Sequence, residues 1–504
     1  MEIIEWKNRY LKETISNKKI ELLRSYSDDF NSNFIEFLTS QYKNEPDGKV
    51  RATIIDIIGY HFSDIGITTL IEALKDNTIE IKRASVIILG KVKCKSALKP
   101  LLNTLYNPSL EIKDEVIKSV MKIMEISPLN TIVDYYQTAN IHVKRIIPKI
   151  LSQIRNEGSI EFLKLIVHDD DALIRRNTIT ALEKVISLKD AKIIIDFLND
   201  PDLRVKKVAI KALGRLKSKR ASKSLLRLLK SKNKTIRNLA TKSLYKIFSD
   251  GKSNDLIYDF MTSKNILVRI QIIKLLGLLL DYNSLNYLLN SLNSNNAQIR
   301  KSAYNALLRL CKNEIPDQII DALKAKEWKI RRLSAKIIGT IGNQSQIELL
   351  FNLLSDPNNR VRETIINALS KLSDDVIINR VKEFISTPNW KYRRAIVKLL
   401  IKINSNSCFE LLVPLINDDD IYVKSWTAMA LGNFDNINDL SPFIDMLNDK
   451  DPKIRISAAK SLGQLRRRES IEALAKVLWD DDWNVRKEIE NALATIDPNW
   501  IKSI

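Results

Sequence analysis

The segment DPDLRVKKVAIKALGRL, residues 200–216, sets the pattern on which most of the chain is built. The pattern returns as DPNNRVRETIINALSKL at 356–372, DKDPKIRISAAKSLGQL at 449–465 and DDDWNVRKEIENALATI at 480–496. In each copy an Ile or Val precedes an Arg or Lys, and apolar residues then follow at helical spacing. We call the Arg or Lys the anchor of its repeat. Such self-similarity indicates a protein made by stacking one supersecondary unit.

The anchors recur with almost constant spacing. They stand at positions 51, 82, 113, 144, 175, 206, 237, 269, 300, 331, 362, 393, 424, 455 and 486, and every step is 31 residues except the 32 between 237 and 269. The sequence therefore predicts an all-α superhelix, a solenoid of about fifteen helix pairs over residues 46–504. Residues 1–45 are expected to supply N-terminal capping helices and the first helix of repeat 1. Irregularities are expected near 128–148, where Pro148 interrupts a helix, and near 249–256.

The second helix of each repeat begins at a recognisable residue. Asp, Asn, Ser or Thr stands four positions before the anchor in fourteen of the fifteen copies, and Glu327 is the exception. A short side-chain oxygen at that place accepts an otherwise unpaired backbone N–H, so we call this helix the capped helix. Its apolar residues lie 1 before and 3, 7 and 10 after the anchor, as at Val205, Ala209, Leu213 and Leu216, and they predict its buried stripe.

The copy that ends at Gly214 follows the pattern D-x-x-x-x-V-R-x-x-A-x-x-x-L-G, with Lys206 in place of the Arg. In this the chain resembles the HEAT-repeat family, in particular the short repeats first described in phycobilin lyases, over most of its length. The resemblance implies an α-helical solenoid whose capped helices line the concave side. It leaves the function open, because HEAT repeats serve scaffolds, chaperones, lyases and nucleic-acid binders alike.

Positive charge is concentrated on one face of the capped helices. Residues 201–250 alone hold 16 Lys and Arg against 2 Asp, in a chain of net charge +21. Positions 1, 5 and 9 after each anchor lie opposite the apolar stripe, and we call this row the ridge. Basic residues fill 24 of its 45 positions and acids only three: Asp56, Asp114 and Glu363. Solubility explains why this face is polar. It does not explain why its charges are almost all positive, because like charges at i and i+4 repel.

The ridge predicts a surface that binds a polyanion. Stacked at ~10 Å per helix pair, the repeats would extend it over on the order of 150 Å, which suits the closely spaced phosphates of a duplex. Our first hypothesis is therefore DNA or RNA binding through backbone contacts, and the alternative is a scaffold for an acidic protein surface. The candidate nucleic-acid-binding residues are Arg176, Lys207, Lys211, Arg215, Lys242, Lys246, Lys274, Lys301, Arg309, Arg332, Lys336, Lys371, Arg394, Lys398 and Lys402.

Two further sets of charged residues are interpreted as structural. The anchors stand at the edge of the apolar stripe, one in each repeat, and are expected to form a ladder between repeats. The acidic triplets Asp169–Asp171, Asp418–Asp420 and Asp480–Asp482 resemble metal ligands. They fall where caps and turns belong, however, and adjacent side chains in a turn rarely converge on one ion. We interpret them as caps.

The sequence offers little support for catalysis. His61, His142 and His168 belong to no HxxxH or His-Glu pair, so neither a metal site nor a cofactor is expected. The His-Glu motifs of the HEAT-type deoxyhypusine hydroxylases are absent, as are GxSxG, P-loop and GxGxxG motifs. We expect the chain not to be an enzyme.

A third hypothesis is a DNA-repair enzyme. The segment NWKYRRAIVKLL, residues 389–400, is similar to the alkylpurine DNA glycosylases built on HEAT-like repeats, which need aromatic residues and an acid in the groove. Trp328, Trp390 and Trp483 share the third position before the anchor, and Glu363 is the ridge acid nearest to Trp390. We interpret these residues as structural, with the Trp side chains packing across the turns between repeats.

The cysteines and the apolar segments bear on the compartment. Cys94, Cys311 and Cys408 are odd in number and far apart, which favours a reducing environment. The N-terminus has no apolar signal core, and the stretch IQIIKLLGLLL is too short to span a bilayer. We expect a cytoplasmic protein without membrane attachment.

Overall fold

The computed structural model describes residues 3–25, 32–61, 64–106, 111–127, 129–250, 255–342, 344–371, 374–434, 437 and 439–502, without the side chains of 3, 344–347, 374–376 and 502. Over these residues the regular secondary structure is helical throughout, and no strand occurs in them. The chain divides into two compact units, Met1–Ile257 and Tyr258–Ile504. The predicted all-α class is confirmed.

Unit 1 is a stack of helix pairs. Its helices are α1 (Ile3–Lys12), α2 (Ser16–Ser25), α3 (Ser32–Asn44), α4 (Gly48–Tyr60), α5 (Asp64–Ala73), α6 (Ile79–Lys91), α7 (Leu98–Thr104), α8 (Lys113–Met124), α9 (Asn130–Thr138), α10 (Ile141–Lys144), α11 (Ile147–Ile154), α12 (Glu157–Ile166), α13 (Ala172–Val185), α14 (Lys192–Ile195), α15 (Leu203–Arg215), α16 (Ser222–Leu228) and α17 (Lys234–Phe248). The short helix α18 (Asp255–Tyr258) lies at the boundary between the units.

Unit 2 repeats the arrangement. Its helices are α19 (Ile266–Leu279), α20 (Leu285–Ser291), α21 (Ala297–Leu310), α22 (Asp317–Asp321), α23 (Trp328–Ile341), α24 (Gln344–Phe351), α25 (Asn359–Leu369), α26 (Asp374–Phe384), α27 (Trp390–Ile403), α28 (Phe409–Leu412), α29 (Ile421–Leu431), α30 (Ser441–Met446), α31 (Pro452–Leu465), α32 (Ile471–Lys476) and α33 (Trp483–Ile496). In many repeats a short 3-10 turn extends or precedes the first of the two helices, as at Asp196–Asn199 after α14.

The predicted caps define where the capped helices start. Asp202 Oδ1, for example, accepts the backbone N–H groups of Arg204 and Val205 at 2.6 and 3.4 Å. Twelve side chains cap their helix in this way: Asp47, Asn140, Asp171, Asp202, Asn233, Asn265, Asn296, Asn358, Asn389, Asp420, Asp451 and Asp482. Thr78 and Glu327 hold the same place without such a hydrogen bond. The predicted cap Ser109 lies outside the described residues.

The capped helices bury their apolar stripe and pack closely on one another. Val205, Ala209 and Leu213 are fully buried, as their spacing predicts. A Cβ atom on Gly214 of α15 would lie 2.6 Å from Cβ and 2.8 Å from Cα of Ser243 on α17. The two helix backbones are therefore in contact at this point, and only glycine fits there.

Pro148 breaks a capped helix, as predicted. The fourth repeat has two pieces in place of one helix, Ile141–Lys144 and Ile147–Ile154, and Pro148 stands in the first turn of the second piece. Proline is tolerated at that place because the N–H it lacks would have no partner within the helix. The other predicted irregularity falls partly outside the described residues, which omit 251–254.

The anchors form the predicted ladder between repeats. Arg331 Nε and Nη2 donate to the two carboxylate oxygens of Asp356 at 2.7 and 3.0 Å, while its Nη1 donates to two backbone carbonyls of the preceding turn at 2.8 Å each. The acid stands 25 residues after its Arg, in the turn that leads to the next capped helix. The same bidentate pairs are Arg51–Asp76, Arg175–Asp200, Arg393–Asp418 and Arg455–Asp480. These five Asp side chains are only 2–8% exposed.

The acidic triplets are explained by the ladder and the caps. Asp418 and Asp480 are ladder acids, while Asp420 and Asp482 cap α29 and α33. Asp171 caps α13 in the same way. Within the described part of the chain, no group of three or more His, Cys, Asp or Glu side chains could hold a metal ion. The interpretation as caps is confirmed for Asp171, Asp420 and Asp482, whereas Asp418 and Asp480 belong to the ladder.

Candidate anion-binding site

Five ridge residues of unit 1 lie on three successive capped helices, α13, α15 and α17. Lys211, Lys242 and Lys246 are exposed, and Arg176 and Lys207 are half-buried. None of the five side chains forms a hydrogen bond or an ion pair with another described residue. We call this set the unit 1 patch. Its charges are available to an external anion, since no internal acid among the described residues neutralises them.

Other ridge residues are neutralised by the protein's own acids. Arg215 Nη1 lies 2.7 Å from Glu183 on α13, and Lys398 Nζ lies 2.5 Å from Glu363 on α25. Arg394 pairs with both carboxylate oxygens of Asp420, at 2.6 and 2.7 Å. Two more make polar contacts with uncharged side chains: Arg332 with Thr364 and Lys402 with Asn367. The ridge is therefore less positive than its sequence count suggests.

A cavity of about 320 Å³ opens between α25, α27 and α29 of unit 2. In its wall the guanidinium of Arg394 lies between two aromatic rings, 4.1 Å from the centroids of both Trp390 and Tyr422. Beside it Lys398 Nζ lies 4.6 Å from the ring centroid of Trp426. Cation–π contacts stabilise these two cations where they lie, and each cation covers one face of its ring.

A second cavity, of about 430 Å³, opens between α21, α23 and α25. Lys336 Nζ lies 4.9 Å from the ring of Tyr304, and the guanidinium of Arg360 lies 5.4 Å from the ring of Trp328. The cavity is lined by Arg300, Lys301, Tyr304, Asn305, Trp328, Lys329, Arg332, Leu333, Lys336 and Arg360. These described residues include six cations and no acid, so the cavity strongly favours a negative ligand.

The remaining candidate residues are exposed but belong to neither cluster. Lys274 extends from α19, Arg309 from the end of α21 and Lys371 from the turn after α25. The structure thus places five of the fifteen candidates in a patch in unit 1 and five in the two cavities of unit 2. The single concave groove along the whole chain stays a prediction.

Sequence reasoning missed the residues that surround the ridge. Tyr304, Tyr422 and Trp426 flank ridge cations without occupying ridge positions, and Glu183 and Asp420 neutralise two of them. Their partners stand between 26 and 32 residues away along the chain, so the signal was available. A comparison of neighbouring repeats position by position would have paired an acid or an aromatic residue with Arg215, Lys336, Arg394 and Lys398.

The glycosylase hypothesis meets a geometric difficulty at the first cavity. Glu363 and Trp390 both line it, as their sequence positions suggested. The carboxylate is already paired with Lys398, however, and the face of Trp390 is covered by Arg394. A cationic base would have to displace the protein's own cations before it could stack there.

The repeated helix pairs and the ladder define an α-helical solenoid, and the comparisons give its family. The family model of HEAT repeats matches residues 191–257, 315–385, 378–449 and 440–499. The matched stretches amount to half of the chain, which therefore belongs to the HEAT-repeat family. Its resemblance to the phycobilin-lyase subtype stays a prediction. No curated protein matches the sequence.

Solved structures resemble the chain in general helical architecture only. Yeast importin-β (Kap95p) is 13% identical, with a TM-score of 0.38, and the match covers 99% of this chain and 83% of that one. The karyopherin Kap121p bound to the extreme C-terminus of the protein phosphatase Cdc14p is 11% identical, with a TM-score of 0.32 and coverages of 99% and 84%.

The family and the solenoid architecture are consistent with a non-enzymatic binding scaffold. Among the residues that the structure describes, no helix has the length and apolarity that crossing a bilayer requires.

Proposed function

We propose that this chain is a non-enzymatic scaffold that binds an acidic segment of a partner protein on the ridge of unit 2. The observation that carries the proposal is the cavity between α21, α23 and α25, where six cations converge without an acid among the described lining residues and two of them are held against Trp328 and Tyr304. Cations fixed in this way lose little side-chain entropy when they bind carboxylates.

The residue types of this cavity favour a protein ligand. Arg, Trp and Tyr are the residues that contribute most to protein–protein affinity, because they combine large buried area with directional contacts. Stacking of nucleic-acid bases needs open aromatic faces. Here Arg360 lies over Trp328 and Lys336 over Tyr304, so the cavity offers charge in place of stacking.

The proposal is tested by titrating labelled poly-L-glutamate against the full chain at several salt concentrations. Lys301→Glu/Lys336→Glu should weaken binding by about tenfold or more, because two charges of the cavity are reversed. The matched control Lys324→Glu/Lys326→Glu changes the net charge equally at exposed positions outside the ridge. Absence of binding by the folded protein at low salt, or an equal loss in both variants, would refute the proposal.

Nucleic-acid binding is a second candidate function, favoured by the unit 1 patch. Its five side chains have no acceptor among the described residues, and four of them are lysines. Lysine ammonium groups suit the phosphates of a duplex, which carries one charge every ~1.7 Å along its axis. An experiment that separates this candidate from the first compares binding of a duplex and of poly-L-glutamate when the patch is reversed in charge.

A further inference from the structure

The ladder is incomplete in the first part of unit 2. Counting 25 residues on from Arg269 and from Arg300 leads to Ser294 and Ala325, in the places where other repeats carry the ladder acid. Ser294 keeps one hydrogen bond of that acid, because its Oγ accepts the backbone N–H of Asn296 at 3.2 Å. Neither residue supplies a carboxylate for the guanidinium that faces it.

The guanidinium of Arg300 is nevertheless held in the ladder orientation. Its Nη1 donates to the backbone carbonyls of Ser294 and Asn295 at 2.8 Å each, as Nη1 of Arg331 does to the corresponding carbonyls of its own repeat. The Nε and Nη2 atoms, which grip Asp356 in the case of Arg331, have no acceptor among the described residues. Nε and Nη2 of Arg300 therefore offer a bidentate binding position for a carboxylate that no described residue fills, and we call such a position a vacant seat.

Arg269 presents a second vacant seat one repeat earlier. Its Nε is buried and has no hydrogen-bond partner among the described residues. A buried donor without a protein acceptor is costly, and a water or a group of a ligand can accept from it. The repeats of Arg269 and Arg300 thus lack the acid that the same guanidinium binds in five other repeats. The repeats of Arg237 and Arg362 lack it too, since Ser263 and Thr387 stand in its place.

We propose that Arg269 and Arg300 bind two carboxylates of an extended acidic segment from a partner protein, which completes the ladder in trans. The inference rests on the proposed function and names the chemistry of its ligand. Successive seats are on the order of 10 Å apart, the spacing of stacked helices. An extended chain rises ~3.3 Å per residue, so the best ligand carries acids at positions i and i+3.

Charge around the seats supports this ligand. Arg300 also lines the second cavity, together with Lys301 and Arg332, so a segment seated on the ladder would continue into a positive environment. A carboxylate is favoured over phosphate at the seats because the five occupied copies all hold an Asp carboxylate through two hydrogen bonds.

The test places a carboxylate of the chain itself in each seat, and the variant that does so is called the filled variant. Ser294→Asp/Ala325→Asp restores the two ladder acids, and Asn293→Asp/Asn313→Asp adds the same charge at exposed positions outside the ladder. The ligands are a labelled Gly/Ser peptide with Asp at i and i+3, its isomer with adjacent Asp residues, and inorganic phosphate as competitor. Affinity is measured by fluorescence anisotropy and folding by the melting temperature.

We expect wild type to bind the i, i+3 peptide about tenfold tighter than the isomer. The filled variant should lose this preference and melt at a higher temperature, while the control variant keeps the preference. A filled variant that is stabilised and still binds like wild type would overturn the inference, as would equal binding of the two peptides. Absence of binding by both peptides while phosphate raises the melting temperature would also overturn it, since the seats would then hold free oxyanions.

The outcome can be separated from that of the scaffold proposal. If the filled variant binds poly-L-glutamate as tightly as wild type does, the inference that the seats bind the partner is refuted. The proposed scaffold function then still stands. Absence of poly-L-glutamate binding in wild type refutes both.

Discussion

At the scale of the residue, the ladder pairs are the strongest polar interactions that join one repeat to the next. The hydrogen bonds from Arg455 hold the pKa of Asp480 below its ordinary value of 3.8. The same pairing raises the pKa of Arg455. Because the Asp480 side chain is 8% exposed, solvent screens this pair only weakly.

We expect Asp480→Asn to lower the free energy of unfolding by about 1–3 kcal/mol at neutral pH, since the half-buried Arg455 keeps its shape-matched neighbour but loses its charge partner. The native pKa of Asp480 lies below the unfolded value, so the carboxylate stabilises the fold above pH 3.8 and loses this effect as the pH falls through the native pKa. The difference between wild type and variant in urea denaturation should therefore shrink below that pH.

The exposed neighbour Asp481 provides the control. Asp481→Asn removes the same charge beside the same anchor without touching the bidentate pair. If the two variants are equally stable at neutral pH, the ladder contributes only long-range electrostatics and the structural role assigned to it is wrong.

At the scale of the element, the packing of neighbouring capped helices is set by small residues at their closest contact. Gly214 of α15 meets the backbone of α17 at Ser243, and Gly463 of α31 meets α33 at Ala492 in the same way. An Ala in the middle of a helix ordinarily stabilises it by about 1 kcal/mol relative to Gly. At Gly214 and Gly463 the contact with backbone atoms makes a substitution by Ala destabilising instead.

We expect Gly214→Ala to destabilise unit 1 by about 1–3 kcal/mol, because a Cβ 2.8 Å from Ser243 Cα forces the two helices apart. Gly158→Ala is the control, since its Cβ would meet only the end of the flexible Leu129 side chain at 2.7 Å. Thermal unfolding of both variants measures the difference. A Gly214→Ala protein as stable as wild type would mean that the helices have room to move apart.

The sequence predicts the elements well because each repeat carries its own local signals. Cap residues such as Asp202, the stripe through Val205 and Leu213, and the break at Pro148 all act within one turn of the helix they define. The candidate site depends on interactions between repeats. The position of Arg394 between Trp390 and Tyr422 follows from side-chain packing across two helices, which no single-helix pattern contains.

At the scale of the whole molecule, the division of charge by face raises the question of which polyanion each cluster prefers. Ridge counts alone treat Lys207 and Lys398 as equivalent, yet only the first is free of an acidic partner among the described residues. The difference arises because Glu363, itself a ridge residue, stands one repeat before Lys398 and pairs with it only in the folded chain. Net charge therefore predicts that an anion binds but not where it binds.

The unit 1 patch provides the decisive comparison between nucleic acid and protein. We expect reversal of Lys207, Lys211, Lys242 and Lys246 to Glu to weaken duplex binding strongly. The plot of log K against log salt should flatten by ~0.9 for each phosphate that the variant no longer neutralises. These side chains face away from the buried stripe, so the fold should survive. Binding of poly-L-glutamate should persist, because the cavity of six cations lies in unit 2.

The matched control reverses Lys223, Arg227, Lys230 and Lys232, which are also exposed and change the net charge equally, but lie outside the ridge. If both quadruple variants lose duplex binding to the same degree, net charge governs the interaction and the ridge is not the duplex site. If wild type binds poly-L-glutamate and no duplex at any salt concentration, nucleic acid is excluded and the lysines of unit 1 serve the acidic partner as well. Selective loss in the patch variant alone would mean that the two units bind chemically different anions, phosphate in unit 1 and carboxylate in unit 2.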